Sequence, residues 1–338
     1  DAAGKEHARH FARKVDAEKW LDRVKVAQHT GTYVDPRTAR MTVGEWCDSW
    51  LEGYASRRVS TVRQARVHVA KIREAFGATR MADLKPSQVK SWTAKLKADG
   101  YADSTIYAIH SRLSQIMADA VHDGVIARNP CSRRTSPRMG KQRPYVATTE
   151  QVWALHDAMP AHLRGAVMLG AFAGLRISEV CGLRIRDVDF MRAVISPTVQ
   201  YPAEPLKSDM ARTAVPIPHD MALMLADGAG EREWVVEGLL GEQIAPWVIE
   251  RAVRATRVEA GLPEGFRFHD LRHYFASLLI AAGCDVKVVQ TRLRHASATT
   301  TLNTYAHIWP DAEESTRTAV ADVLTARADS LRTEAVSK

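Results

Sequence analysis

The sequence has little cysteine, no long apolar run and no repeated or low-complexity tract. Cys47, Cys131, Cys181 and Cys284 are the four thiols in 338 residues, and the nearest pair, Cys131 and Cys181, lies 50 positions apart with no CxxC. That spacing indicates neither a disulfide framework nor a zinc site, which suits a reducing cytoplasm. The longest apolar stretches, around residues 166–173 and 276–282, fall far short of the roughly 20 residues that span a bilayer. No membrane span is expected. No Walker motif appears, and no carboxylate cluster has metal-site spacing. The chain opens on Asp1 rather than Met and has no signal-like apolar region, which implies a trimmed N-terminus.

What the chain does have is an uneven distribution of charge. Its formal net charge is +8. Residues 1–147 hold 27 Lys+Arg against 15 Asp+Glu, a net of +12, and residues 148–338 hold 20 against 24, a net of −4. A basic half joined to a mildly acidic one points to a polyanion gripped mainly by the first half. The blander reading is an Arg-rich composition imposed by a GC-rich genome.

Hydrophobic periodicity divides the chain further. Residues 5–29 read as a helix closed by Thr30-Gly31 and Asp35-Pro36, so residues 1–41 form a connector or the end of another domain. From Thr42, capping-box spacing to Glu45 opens a helix carrying Trp46, Trp50 and Leu51. Further helices fit residues 60–76, 86–100 and 104–124, making residues 42–130 a compact helical domain. Residues 131–147 mix Pro, Ser and Gly with five basic residues and read as a basic interdomain linker. The second domain, 148–338, begins with helices at 150–158 and 162–173. A short helix follows Gly174, and residues 193–199 and 213–217 form a β-hairpin with Lys207 near its tip. Helices resume at 246–260, 269–282, 286–293 and 299–307. An amphipathic tail from Asp311 carries an apolar stripe that either packs on its own domain or covers a neighbour's. The expected class is mainly α with a small β-hairpin or sheet (α+β).

Taken singly, the chemical signals are weak. Arg176 with Glu179 three residues on reads as an ion pair, Tyr305 as a core tyrosine, and Lys207 as a solvated lysine. His269 and Arg272 share a helix face at i, i+3, and His273 stands one step round. Their order along the chain carries more. Ala-Gly-Leu-Arg176-Ile-Ser-Glu179 is followed by Lys207 with Val215-Pro-Ile217, then His269-Asp-Leu-Arg272-His, Leu293-Arg-His295 and Thr300-Thr-Leu-Asn-Thr-Tyr305-Ala-His. This series resembles the tyrosine recombinase (phage integrase) family over about residues 42–310. The stretch ending Gly31-Thr-Tyr-Val-Asp-Pro36 looks like the last helix of the small arm-site-binding domain of actinobacterial phage integrases, incomplete here.

The resemblance implies a helical core-type DNA-binding domain before a recombinase catalytic domain. Tyr305 would attack the scissile phosphate, form a 3′-phosphotyrosyl bond and release a 5′-hydroxyl. Arg176 and Arg272 would clamp the non-bridging oxygens bidentately, and His295 would donate a further hydrogen bond. Lys207 would protonate the leaving oxygen, and His269 would take the tyrosine proton. Glu179 would orient the two arginines from behind. No cofactor and no metal are implied, since the cations supply the charge that metal ions supply in nucleases. Arg57, Arg58, Arg63, Lys71 and Lys90, with Arg133, Arg134, Lys141 and Arg143 of the linker, would grip the DNA backbone. The implied partners are double-stranded attachment sites, three further copies of the chain in a tetramer, and a host DNA-bending protein and excisionase, all in a bacterial cytoplasm at the nucleoid.

One departure stands out, because the family carries Gly where this chain has Arg294. A negative φ there would accommodate the side chain, which would then be free to add a phosphate contact. Two alternatives remain open at this stage: a DNA-binding architectural protein that has lost catalysis, and a relaxing enzyme of the type IB topoisomerase kind.

Overall fold

A computed structural model describes residues 10–29, 40–139, 144–206, 209–227, 230, 232–309 and 321. The chain divides into two compact units, Asp1–Gln142 and Arg143–Lys338. Each has its own buried core. Among the described residues no helix is long and apolar enough to cross a membrane.

In the first unit α1 spans Lys14–His29, later in its start than the sequence periodicity suggests. Four helices then build the core: α2 (Val43–Tyr54), α3 (Val59–Phe76), α4 (Pro86–Ala98) and α5 (Asp103–His122). Thr42 and Glu45 close the expected capping box on α2, with Glu45 N donating to Thr42 Oγ1 and Thr42 N donating to Glu45 Oε2. The two tryptophans of α2 bury their rings and still satisfy their indole N–H groups. Trp46 donates to the Ile116 carbonyl at 3.0 Å and Trp50 to Asp119 at 2.6 Å, both on α5.

The expected linker begins too early. Cys131 is buried in the helical core, and Thr135, 4% exposed, bonds His110 at 3.0 Å. Asn129 caps the segment by donating to the Ser114 carbonyl and accepting from Cys131 N. Residues 131–137 therefore belong to the helical unit. Pro and Ser removed the helical period without removing the packing.

The second unit opens with α6 (Thr149–Ala158), α7 (Arg164–Phe172) and the single turn α8 (Ile177–Val180). Three antiparallel strands follow: β1 (Val188–Asp189), β2 (Val194–Ile195) and, later in the chain, β5 (Val215–Pro216), in the order β1-β2-β5. The expected hairpin is the β2–β5 pair, with Ile195 opposite Val215. Its connection is larger than a turn, because it contains a second ribbon, β3 (Val199–Gln200) with β4 (Glu204–Pro205). Lys207 follows β4 and lies outside the described residues. Then come α9 (His219–Ala226), α10 (Pro246–Thr256), α11 (Phe268–Ala281), α12 (Val286–Arg292) and α13 (Ala298–Tyr305). Helix α9 has no counterpart in the sequence reading: eight residues behind Pro216-Ile-Pro218, with no polar N-cap, carry little helical signal. The expected C-terminal helix lies outside the described residues, apart from Ala321.

Helices α7 and α11 form the spine of this unit. They approach closely at Gly170, where an added Cβ would lie 2.8 Å from the Phe268 ring. After α7 the chain reverses at Gly174, whose φ of +62° suits glycine. An added Cβ there would lie 2.4 Å from the Phe275 ring. Gly174→Ala should therefore combine backbone strain with overpacking and destabilise the protein by about 2–5 kcal/mol. Urea denaturation of the whole chain checks this, and an unchanged midpoint would contradict the packing described.

Candidate active site

Four segments carry the site. The N-terminus of α8 supplies Arg176 and Glu179, the first turns of α11 supply His269, Arg272 and His273, and the turn between α12 and α13 supplies Arg294 and His295, with Tyr305 closing α13. Glycine at 174 sets the direction in which the chain enters α8. Arg176 is the N-cap residue there, and its backbone N–H donates to Glu179 Oε2 at 2.9 Å.

Glu179 is 2% exposed. Its Oε1 accepts from Arg176 Nη1 at 2.8 Å, and its Oε2 accepts from Arg294 Nη2 at 2.6 Å. Burial alone would raise the carboxyl pKa, but Arg294, then Arg176 and its backbone N–H, outweigh burial and hold it below the usual value. Glu179 is thus an anion gripping Arg176 and Arg294, whereas the sequence pointed to Arg176 and Arg272.

Arg272 is held another way. It is 2% exposed, and its terminal nitrogens donate to the carbonyls of Gly174 and Leu293. Burial, reinforced by Arg176 and Arg294, pushes its pKa down to about 9, so it remains a cation at neutral pH. Two of its five N–H donors are committed, which leaves three for another acceptor. Arg176 is the open member of the group, its side chain 38% exposed. A buried cation, a half-open cation and a shared carboxylate make a surface suited to an oxyanion.

Tyr305 is 1% exposed, and its hydroxyl lies 2.7 Å from His273 Nδ1. The phenol is pushed up to about 12 by burial, against the pull of Arg272. It is therefore protonated at neutral pH and needs a base. Burial, then His269 and Arg272, push His273 down to about 4. The ring is then neutral and can accept the phenol proton through Nδ1 while Nε2 faces Asp270 Oδ1 at 3.9 Å. The sequence reading gave this place to His269. The structure instead sets His269 edge-on to His273, with ring centroids 5.0 Å apart, and brings His273 to the hydroxyl. The i, i+3 spacing of His269 and Arg272 does not reveal this, because which histidine meets the phenol depends on where α13 packs.

His295 stacks beside Tyr305 with centroids 6.5 Å apart, and its Nδ1 lies 2.9 Å from Thr301 Oγ1. Burial, then Arg272 and Arg176, push this ring down to about 4. The expectation for Arg294 is overturned. Its φ is +53°, and its side chain is fully buried on Glu179 and on the Ala211 carbonyl rather than turned toward solvent. No group of three or more His, Cys, Asp or Glu among the described residues could hold a metal ion.

Of the residues expected to grip DNA, the described ones are spread over several places on the helical unit. Lys90 and Arg134, with Lys97 and Arg138, line a groove of about 350 Å³ in the helical unit. Arg57 borders a second groove, of about 490 Å³, against Trp50 and Tyr54. Lys71 lies at a third, over the Tyr101 ring and paired with Glu74 at 2.8 Å. Arg58, Arg63 and Arg133 are exposed, while Lys141 and Arg143 lie outside the described residues.

This geometry can be set against known proteins. A model of the phage integrase family matches residues 146–311. The tyrosine recombinase XerD of Corynebacterium glutamicum is 30% identical over 257 residues, covering 70% of this chain and 83% of that protein. The chain belongs to the phage integrase family of tyrosine recombinases. This recombinase is also 27% identical over 322 residues to the putative prophage phiRv2 integrase of Mycobacterium tuberculosis, covering 88% of this chain and 84% of that one. Its fold matches the Tn1549 transposon integrase in complex with a circular intermediate DNA, at 19% identity and a TM-score of 0.72 over 84% of this chain and 99% of that one. A lambda integrase tetramer bound to a Holliday junction matches with a TM-score of 0.62 at 21% identity, over 88% and 92% of the two chains.

The depressed histidines of this recombinase have a consequence for stability. Their folded values near 4 lie below the ordinary 6.5, so the unfolded chain binds protons that the folded chain refuses. Stability should fall as pH drops from about 6.5 toward 4. Thermal melts between pH 7 and 5 check this. The melting temperature should fall, and H273N/H295N should flatten the decline; a pH-independent melt would contradict the burial of both rings.

Proposed function

We propose that this recombinase cleaves and rejoins DNA at specific attachment sites through a covalent bond between Tyr305 and the 3′ phosphate. The observation that carries the reading is the Tyr305 hydroxyl on neutral His273, 2.7 Å away, beside a buried cationic group. His273 takes the phenol proton as Tyr305 Oη attacks phosphorus. The non-bridging oxygens gain charge in the transition state, and Arg176, the uncommitted donors of Arg272 and His295 receive it. The bond to the 5′ oxygen breaks, and that oxygen takes a proton from Lys207, the expected acid on the β4–β5 connection. Attack of a second 5′-hydroxyl on the phosphotyrosine reverses each step, so the phosphodiester energy is retained and no nucleotide cofactor enters.

Burial of Tyr305 and Arg272 gives the reaction an ordering. Docked DNA must open the pocket before the phosphate reaches both groups, so cleavage follows binding. The basic grooves of the helical unit supply backbone contacts that are independent of sequence. The biological role follows the relatives: integration or excision of phage or mobile-element DNA by a tetramer on two duplexes in the bacterial cytoplasm, aided by a host bending protein and an excisionase.

A nicked suicide duplex bearing the attachment site tests the reading. The wild-type chain should form a covalent adduct on denaturing gels and Tyr305→Phe none; an adduct with Tyr305→Phe overturns the assignment. Arg176→Ala and Arg272→Ala should each slow cleavage by about 10²-fold or more. His273→Asn should slow it by about 10²–10⁴-fold. Lys207→Ala should slow cleavage while leaving DNA affinity unchanged, and normal cleavage by Lys207→Ala would remove it as the acid.

A further inference from the structure

Arg294 occupies a costly position. A non-glycine residue at φ +53° carries strain of about 1–2 kcal/mol that glycine would not. The side chain is also fully buried, with Nε unsatisfied, and burying a guanidinium is unfavourable unless its charge is used. Such a residue persists where its interaction outweighs both costs. The interaction here is with Glu179, and the same residue reaches Arg176 from a second direction, since the Arg294 carbonyl accepts from Arg176 Nη2 at 3.5 Å.

The charge count around Glu179 shows what the arrangement accomplishes. Arg176 and Glu179 alone form a neutral pair, and a neutral pair attracts a phosphate poorly. With Arg294 on Oε2, the carboxylate is compensated from the buried side. The triad then carries one net positive charge, and it sits at the partly exposed Arg176. We propose that Arg294 is a positioning residue for DNA cleavage: its buried guanidinium neutralises Glu179, so that the Arg176 guanidinium presents uncompensated charge to the scissile phosphate. The inference rests on the recombinase reading and adds a residue that touches no substrate. Arg294 Nη1 also donates to the Ala211 carbonyl at 3.2 Å. It thereby ties the turn Asp209–Arg212, just beyond Lys207, to the same carboxylate.

The test compares variants with equal backbone strain. Arg294→Lys keeps the charge, while Arg294→Gln keeps a hydrogen-bond donor and removes the charge. On the nicked attachment-site duplex, R294Q should cleave about 10–100-fold more slowly than wild type, R294K should retain most of the rate, and both should bind the duplex as wild type does. The double variant E179Q/R294Q removes both buried charges and should cleave faster than R294Q. A packing role predicts the opposite pattern, with R294K and R294Q alike and the double variant slowest, and that pattern overturns the proposal. Arg294→Gly relieves the strained φ, so a slow R294G that melts no lower than wild type supports the charge assignment, and a wild-type rate in R294G overturns it. A second readout is independent of strand cleavage. Binding of inorganic orthovanadate to the full chain by titration calorimetry should weaken in R294Q and recover in E179Q/R294Q. Absence of any wild-type adduct would overturn the recombinase reading, and vanadate binding would then decide the role of Arg294 alone.

Discussion

The site depends on one buried carboxylate. Glu179 holds Arg176 through one oxygen and Arg294 through the other, and in doing so it joins the start of α8 to the turn before α13. Without that anion, three guanidinium groups would crowd a space from which water is largely excluded. Arg272 is stabilised by a different device, two backbone carbonyls that carry partial negative charge without a counterion. The combination concentrates positive charge near Tyr305 while leaving the cluster net cationic. Such preorganised charge acts on a developing oxyanion without reorganisation at the moment of reaction.

The fold supplies the two conditions this arrangement needs. Close packing of α7 on α11 at Gly170 fixes the helix that bears Arg272 and His273, and the left-handed turn at Gly174 presents both a carbonyl to Arg272 and the N-cap to Arg176. The opposing sides of the site therefore rest on rigid elements. Tyr305 ends α13, and the small cluster of Phe275, Ile280, Val289 and Leu293 packs around it. The same burial raises the phenol and lowers His273, so before DNA is bound the proton rests on Tyr305 and the imidazole is neutral.

Most of the helical architecture was legible in the sequence, since α2 to α5 and α10 to α13 carry clear stripes and breakers. The catalytic constellation was legible only as an ordered series of motifs resembling a family, as none of its members is distinctive alone. Three features were not legible, each for a physical reason. His273 could not be preferred to His269 without knowing the path of α13. The packing of residues 131–137 was hidden by Pro and Ser, which erase periodicity yet leave Cys131 and Thr135 to be buried. The sequence alone favours a negative φ and a phosphate contact for Arg294, because local rules penalise the left-handed conformation and the compensating carboxylate lies 115 residues away. Charge balance over that distance is a tertiary property, and the net charge of the domain, mildly acidic overall, conceals it.

The most direct measurement is the identity of the residue that carries DNA after trapping on a nicked attachment-site duplex, read by mass spectrometry of the nuclease-trimmed, protease-digested adduct. The account predicts a single modified peptide with a 3′-linked nucleotide on Tyr305. A nucleotide on any other side chain would contradict it.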